Sequence, residues 1–177
     1  MELEARLWLL VTWGLFPLWL AAGFADWLCH RASRIEQTSG ATESRLHVLL
    51  FALVALPVML LLTLEVTALT LVIMLISLLA HQAVSLWDIR YSQPRRFISP
   101  IEQQVHGFLE LVPLFALAIV VVLEWEAVRT PEWRATPRGT LPGYAPLAWL
   151  ALAGGLSMIL EEWWRCRRAA RVSRNPA

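Results

Sequence analysis

The chain has four histidines, His30, His47, His81 and His106, and three of them follow an acidic residue by four positions. The pairs are Asp26 with His30, Glu43 with His47, and Glu102 with His106. Residues at i and i+4 of a helix lie on one face, a turn apart, so each pair aims an imidazole and a carboxylate at one place. If the 14 acidic residues were scattered at random among 177 positions, three such i,i+4 matches would arise about 0.2 % of the time. Mixed imidazole and carboxylate ligation suits iron, manganese or zinc. Two such ions about 3.5–4 Å apart form a common catalytic unit.

The expected metal ligands are Asp26, His30, Glu43, His47, His81, Asp88, Glu102 and His106. Glu110 lies one turn beyond His106 on the same face and is expected to be catalytic, as an extra ligand or a proton relay. Competing explanations exist for single residues. Any one pair is also explained by an interfacial ion pair. Ser99-Pro100-Ile101-Glu102 fits a capping box with proline at the first helical position, which would use Glu102 as a cap. Glu36 is expected to be solvated, and Gly107 to permit close helix approach. Ser85 and Tyr91 lie near the site, but nothing singles them out. Arg31, Arg34, Arg45, Arg90, Arg95 and Arg96 surround the site. They read first as topology signals, and otherwise as a clamp for an anionic headgroup or an electron donor.

The elements that must position these groups are membrane helices. The chain is 58 % hydrophobic with a mean hydropathy of +0.56. Its apolar runs approach the 20 or so residues that a bilayer core of about 30 Å requires. The expected architecture is a single all-α integral membrane domain over 1–177. It has five transmembrane helices, at about 7–28, 46–64, 68–87, 105–123 and 144–164, with a four-helix metal-binding core and a basic tail over 165–177. Pro17, Pro57 and Pro113 fall inside three of the runs, which membrane helices tolerate. The link after the fourth run contains Pro131, Pro137 and Pro142 and is expected to be irregular.

Eleven of the fifteen arginines fall on one side of this topology and four on the other. The positive-inside rule then puts the N-terminus outside and the C-terminus in the cytoplasm. All four histidines come out at the cytoplasmic end, although they played no part in the orientation. Asp26, His47, His81 and His106 form an expected deeper layer. His30, Glu43, Glu102 and Asp88 form a shallower one.

Other chemistries find little support. A net charge of +1 offers no field for nucleic acid. Cys29 and Cys166 lack a CxxC spacing and read as free thiols. No Gly-rich phosphate loop, HExxH or GxSxG is present. The acidic start, with Glu2 and Glu4, does not fit a signal peptide, so the first run is expected to be retained.

In its chemistry the pattern resembles the integral-membrane di-iron hydroxylases and desaturases, which place HxxxH and HxxHH motifs at the cytoplasmic ends of membrane helices. Here Asp26, Glu43 and Glu102 stand where an all-histidine motif would repeat. The resemblance covers about Asp26 to Glu110. It implies a di-iron oxidoreductase, of monooxygenase or desaturase type, acting on a lipid or other apolar substrate at the cytoplasmic face. The implied cofactors are two metal ions, iron first, with zinc or manganese as alternatives. The implied partners are membrane lipid and a separate electron-donor protein, since no flavin or nicotinamide fold is present. Oligomerisation stays open, and the expected location is a bacterial inner membrane. The mixed donors are similar to those of ferritin-type sites, without their ExxH spacing. They are also similar to those of membrane zinc amidases of the alkaline-ceramidase kind. A zinc hydrolase acting on lipids, and a non-enzymatic metal-binding or transport subunit, are therefore the alternatives.

Overall fold

The computed structural model describes residues 2–174, so Met1 and the last three residues of the expected basic tail lie outside the described residues. Four helices are long and apolar enough to cross a membrane: α1 (Glu2–Ala32), α2 (Gly40–Thr63), α3 (Ala68–Ser92) and α4 (Pro100–Leu123). A short helix, α5 (Trp125–Arg129), opens the otherwise irregular link to α6 (Ala145–Arg174). No strand occurs among the described residues. Many outward side chains are bare hydrocarbon, including Leu75, Ile76, Leu79, Leu111, Phe115 and Val122. A lipid environment suits this surface and water does not.

The fifth expected span begins near its predicted start, but α6 differs in kind from the other four. Its apolar run ends at Leu160. Glu161 and Glu162 follow, then a basic stretch, within one continuous helix. By length and composition it does not join the membrane-spanning set, which among the described residues numbers four. It packs instead between α1 and α2, and α1–α4–α3–α2–α6 close into a ring. The expected four-helix core is thus a five-helix core. At the α6–α2 contact a Cβ at position 155 would come within 2.8 Å of Phe51 Cε2, so the absence of a side chain on Gly155 lets the Phe51 ring sit against α6.

All four spanning helices run past their apolar stretches at the polar end. α1 continues to Ala32, α2 begins at Gly40, α3 continues to Ser92 and α4 begins at Pro100. The start of α4 is set by the Ser99 hydroxyl, which accepts from the Glu102 N–H at 3.1 Å. These extra turns keep Asp26–His30, Glu43–His47 and Glu102–His106 on regular helix, where the i,i+4 relation holds. The seven-residue link between α1 and α2 reverses the chain with two residues at positive φ, Arg34 and Gly40, around a 3-10 turn at Ile35–Gln37.

The prolines inside the helices are accommodated locally. Pro17 follows a π-helical turn, Leu10–Leu15, where the Phe16 N–H reaches back to the Val11 carbonyl. The wider turn makes room for a ring that would otherwise crowd the carbonyl one turn earlier. Pro57 frees the Leu53 carbonyl, and the Ser77 hydroxyl of α3 donates to that oxygen at 2.7 Å. Ser77→Ala should therefore cost about 1 kcal/mol of stability by leaving a buried acceptor unpaired. Ser157→Ala should cost almost nothing, because that exposed hydroxyl bonds only within its own helix. Thermal unfolding in detergent checks both, and equal effects would contradict the role given to Ser77.

Candidate metal centre

The ring of helices gathers the acidic and imidazole groups into two adjoining clusters. In the first, Asp26 and His30 come from α1, and Glu102 and His106 from α4. One donor atom from each lies within 4.8 Å of the other three. His30 Nε2 is 3.4 Å from Glu102 Oε1 and 3.5 Å from Asp26 Oδ1. His106 Nε2 is 2.9 Å from the same Asp26 oxygen. A tetrahedral ion with bonds near 2.1 Å sets its ligand atoms about 3.4 Å apart, so the His30 distances match the edges of such a site.

The second cluster is centred on His47 of α2. Its Nε2 lies 3.4 Å from Asp88 Oδ2 on α3 and 3.9 Å from Glu43 Oε1. The rings of His30 and His47 stack with centroids 4.4 Å apart and planes 6° from parallel. Each cluster draws from both of the depth layers expected from topology. The clusters share His30 of α1, one donor atom of which also lies within 4.8 Å of those of Glu43 and His47.

Glu162 of α6 joins the two. Its Oε2 lies 2.9 Å from His30 Nδ1 and its Oε1 lies 2.6 Å from His47 Nδ1, and the carboxylate is fully buried. An ionised carboxylate only accepts, so this contact places a proton on Nδ1 of each ring. Both Nε2 atoms then face the acidic groups. A metal-ligating histidine is commonly held in this way, with the far ring nitrogen donating to a carboxylate. Sequence reasoning missed Glu162. It has no histidine four residues away, and its one visible signal was a pair of acids at the end of an apolar run.

Arg96 was also misread. Its place is inside the protein, not at the lipid headgroups. Its Nη2 donates to Glu43 Oε1 and to Glu102 Oε1, both at 2.5 Å, and its Nε donates to Glu43 at 3.0 Å. Burial opposes the charge, but the two carboxylates hold the guanidinium pKa above its ordinary value. The capping question for Glu102 is answered here. Its backbone N–H is capped by Ser99, while its side chain goes to Arg96 and His30. Glu43 is largely engaged by Arg96 and also accepts from the Ser39 hydroxyl.

His81, Ser85 and Glu110 take other places. With Asp26, His47, Asp88 and His106 they form the polar side of one cavity of about 90 Å³, whose other walls are apolar and include Trp19, Phe51 and Val54. His81 belongs to neither cluster. Ser85 donates to Glu110 at 2.5 Å, and the Tyr91 hydroxyl donates to the Ser39 carbonyl. Glu36 is not solvated but pairs, half-buried, with Arg165 of α6. Gly107 faces open space, so the expected close helix approach does not occur there. Glu161 accepts from Trp27 Nε1 and from Arg31, both at 3.1 Å, and ties α6 to α1 just outside the site. Burial pushes the Cys166 thiol up to about 12, consistent with an inert thiol.

Two features set what the arrangement can do. Five carboxylates, Asp26, Glu43, Asp88, Glu102 and Glu162, face a single arginine among side chains that are buried or nearly so. Two of the inward-facing atoms, His30 Nε2 and His47 Nε2, are buried and make no hydrogen bond of good geometry, although each lies 3.4–3.5 Å from a carboxylate oxygen. Buried groups of this kind are ordinarily paired or bound to an ion. No family model, curated protein or solved structure matches the chain.

Arg96→Met would leave Glu43 and Glu102 buried without their cation. It should lower stability by about 3–5 kcal/mol, the usual cost of breaking a buried pair from one side. Adding Glu43→Gln to that variant should recover part of the loss. Thermal unfolding of the purified protein reads both effects, and a single variant as stable as the parent would contradict the pairing.

Proposed function

We propose that this chain is a membrane-embedded metalloenzyme whose site takes two divalent cations. The observation that carries the reading is the pair of histidines oriented by Glu162, with both Nε2 atoms buried, without a hydrogen bond of good geometry and facing carboxylates. Charge supports cation binding. With neutral histidines, the five carboxylates and Arg96 leave four negative charges, before Glu110 on the same cavity is counted, and divalent cations would offset this excess. Asp26, His30, Glu102 and His106 would hold one ion, and His47, Asp88 and Glu43 the other. Mixed nitrogen and oxygen donors favour iron, with manganese or zinc as alternatives.

The activity proposed is hydroxylation or desaturation of a lipid or other apolar molecule at the cytoplasmic face. The orientation follows the arginine asymmetry, with the N-terminus outside and a bacterial inner membrane as the setting. A bound iron pair would supply the redox chemistry. Hydroxylation places one atom of dioxygen in a C–H bond as a hydroxyl and releases the other as water. Desaturation removes two hydrogens and releases both oxygen atoms as water. Either takes two electrons from a separate donor protein and two protons. Glu110 would move those protons, a role supported by its position on the polar cavity and its hydrogen bond from Ser85.

One observation favours a second reading. The first cluster offers four donors, while Glu43 of the second is largely engaged by Arg96. One complete site alone would suit a single zinc and a lipid hydrolase, with metal-bound water as the nucleophile.

Elemental analysis of the purified protein separates the two. Two irons per chain are expected, falling sharply in His30→Ala and His106→Ala. Glu162→Gln should weaken metal binding by about 10–100-fold, as loss of a ligand-orienting carboxylate does. One zinc per chain would favour the hydrolase. A metal-free parent protein would contradict both readings.

A further inference from the structure

A second cavity, of about 100 Å³, lies on the axis of the helix ring, in the half of the bundle away from the polar groups. Its walls come from α1, α2, α3, α4 and α6, and include Trp8, Leu15, Met74, Leu78, Leu117 and Val120. Its lining is almost wholly hydrocarbon. Thr12 contributes a hydroxyl that is already donated to the Trp8 carbonyl at 2.8 Å, and Tyr144 stands towards the outer end. A cavity of this composition stays dry and accepts apolar groups.

The two cavities adjoin. Trp19 and Val54 line both. The apolar cavity reaches along α1 from Trp8 to Trp19, a length of about 16 Å at 1.5 Å per residue. An elongated apolar space that borders a cavity carrying acidic and imidazole groups has the chemistry to hold an extended hydrocarbon chain.

We propose that this cavity is a tunnel for a single unbranched alkyl chain, whose terminal carbons are presented past Trp19 and Val54 to the polar cavity. The inference rests on the apolar-substrate reading of the metal centre and names the substrate class. Chain polarity follows from hydration. A polar head drawn through the apolar tunnel would lose its hydration without gaining a partner. The methyl end therefore leads and the head stays outside. The chain comes either from a free long-chain fatty acid or from the acyl arm of a phospholipid, and the tunnel chemistry is the same for both.

Photolabelling of the full-length protein in lipid nanodiscs tests this. One set of probes is a long-chain fatty acid carrying a diazirine at its methyl end or at mid-chain. The other is a phosphatidylcholine bearing the same chains. Mapped by peptide mass spectrometry, the end-labelled chain should mark Trp19, Val54, Leu78 or Val112, and the mid-chain label should mark Phe16, Leu61 or Leu117. Whichever probe set gives this map identifies the source. Val54→Trp, which narrows the junction, should abolish the end-label map, while Leu79→Trp on the outer surface should not change it.

Labels from both sets confined to outward residues such as Leu75, Ile76 and Leu79 would overturn the tunnel. So would a reversed order of end and mid-chain labels. The map is repeated on chelator-treated protein and on His106→Ala. A tunnel map that persists after chelation upholds the tunnel, and the same map on as-purified protein that elemental analysis finds metal-free removes the metal reading. Outward-only labels on fully metallated protein remove the tunnel and leave the metal reading standing.

Discussion

The site depends on one carboxylate shared between two imidazoles. Glu162 meets Nδ1 of His30 with one oxygen and Nδ1 of His47 with the other. That contact sets the tautomer and the direction of both rings, and turns both Nε2 atoms toward Asp26, Glu102, Glu43 and Asp88. It also sets the place of α6. A buried glutamate at the end of an apolar run would be costly in hydrocarbon, and here its two acceptors are met by donors from two other helices. The closure of the helix ring and the geometry of the polar cluster are therefore one constraint.

Arg96 plays the complementary part. It bridges Glu43 at the start of α2 and Glu102 at the start of α4, so two helix openings separated by α3 are held by one cation. Around this interior network stands an outer set of pairs, Arg31 with Glu161 and Arg165 with Glu36, which ties the α1–α2 link against α6. The pairs differ in exposure and so in weight: Arg31–Glu161 is exposed and contributes little, Arg165–Glu36 is half-buried, and breaking the buried Arg96 pairs is the costly step.

Much of this was legible in the residues themselves. The apolar runs located the four spanning helices along with a fifth that does not join them, and i,i+4 spacing paired Asp26 with His30 and Glu102 with His106, which packing of α1 on α4 then brings together. What escaped was non-local. Glu162 becomes part of the site only because α6 wedges between α1 and α2, and no spacing rule reaches across 115 residues of chain to His47. Arg96 looked like one of eleven topology-determining arginines, since sequence carries no sign of which guanidinium folds inward. Helix ends were underestimated because hydropathy marks where lipid contact stops, whereas these helices continue through their polar turns. Gly107 was overread, since small size allows close approach without causing it.

Trp19 and Val54 line both the apolar and the polar cavity, so apolar space and the acidic cluster share a border inside one bundle. That juxtaposition gives the cluster chemical meaning only if its histidines are neutral and face a cation. The same residues could otherwise form a closed ion-pair network with protonated rings. Nitrogen NMR on histidine-labelled protein, loaded with diamagnetic zinc, distinguishes these states directly, and four histidines make assignment by single substitution practical. The account predicts that His30 and His47 each show one protonated Nδ1, bonded to Glu162, and one metal-bound, unprotonated Nε2. Two imidazolium rings, protonated at both nitrogens and unchanged by zinc, would contradict it.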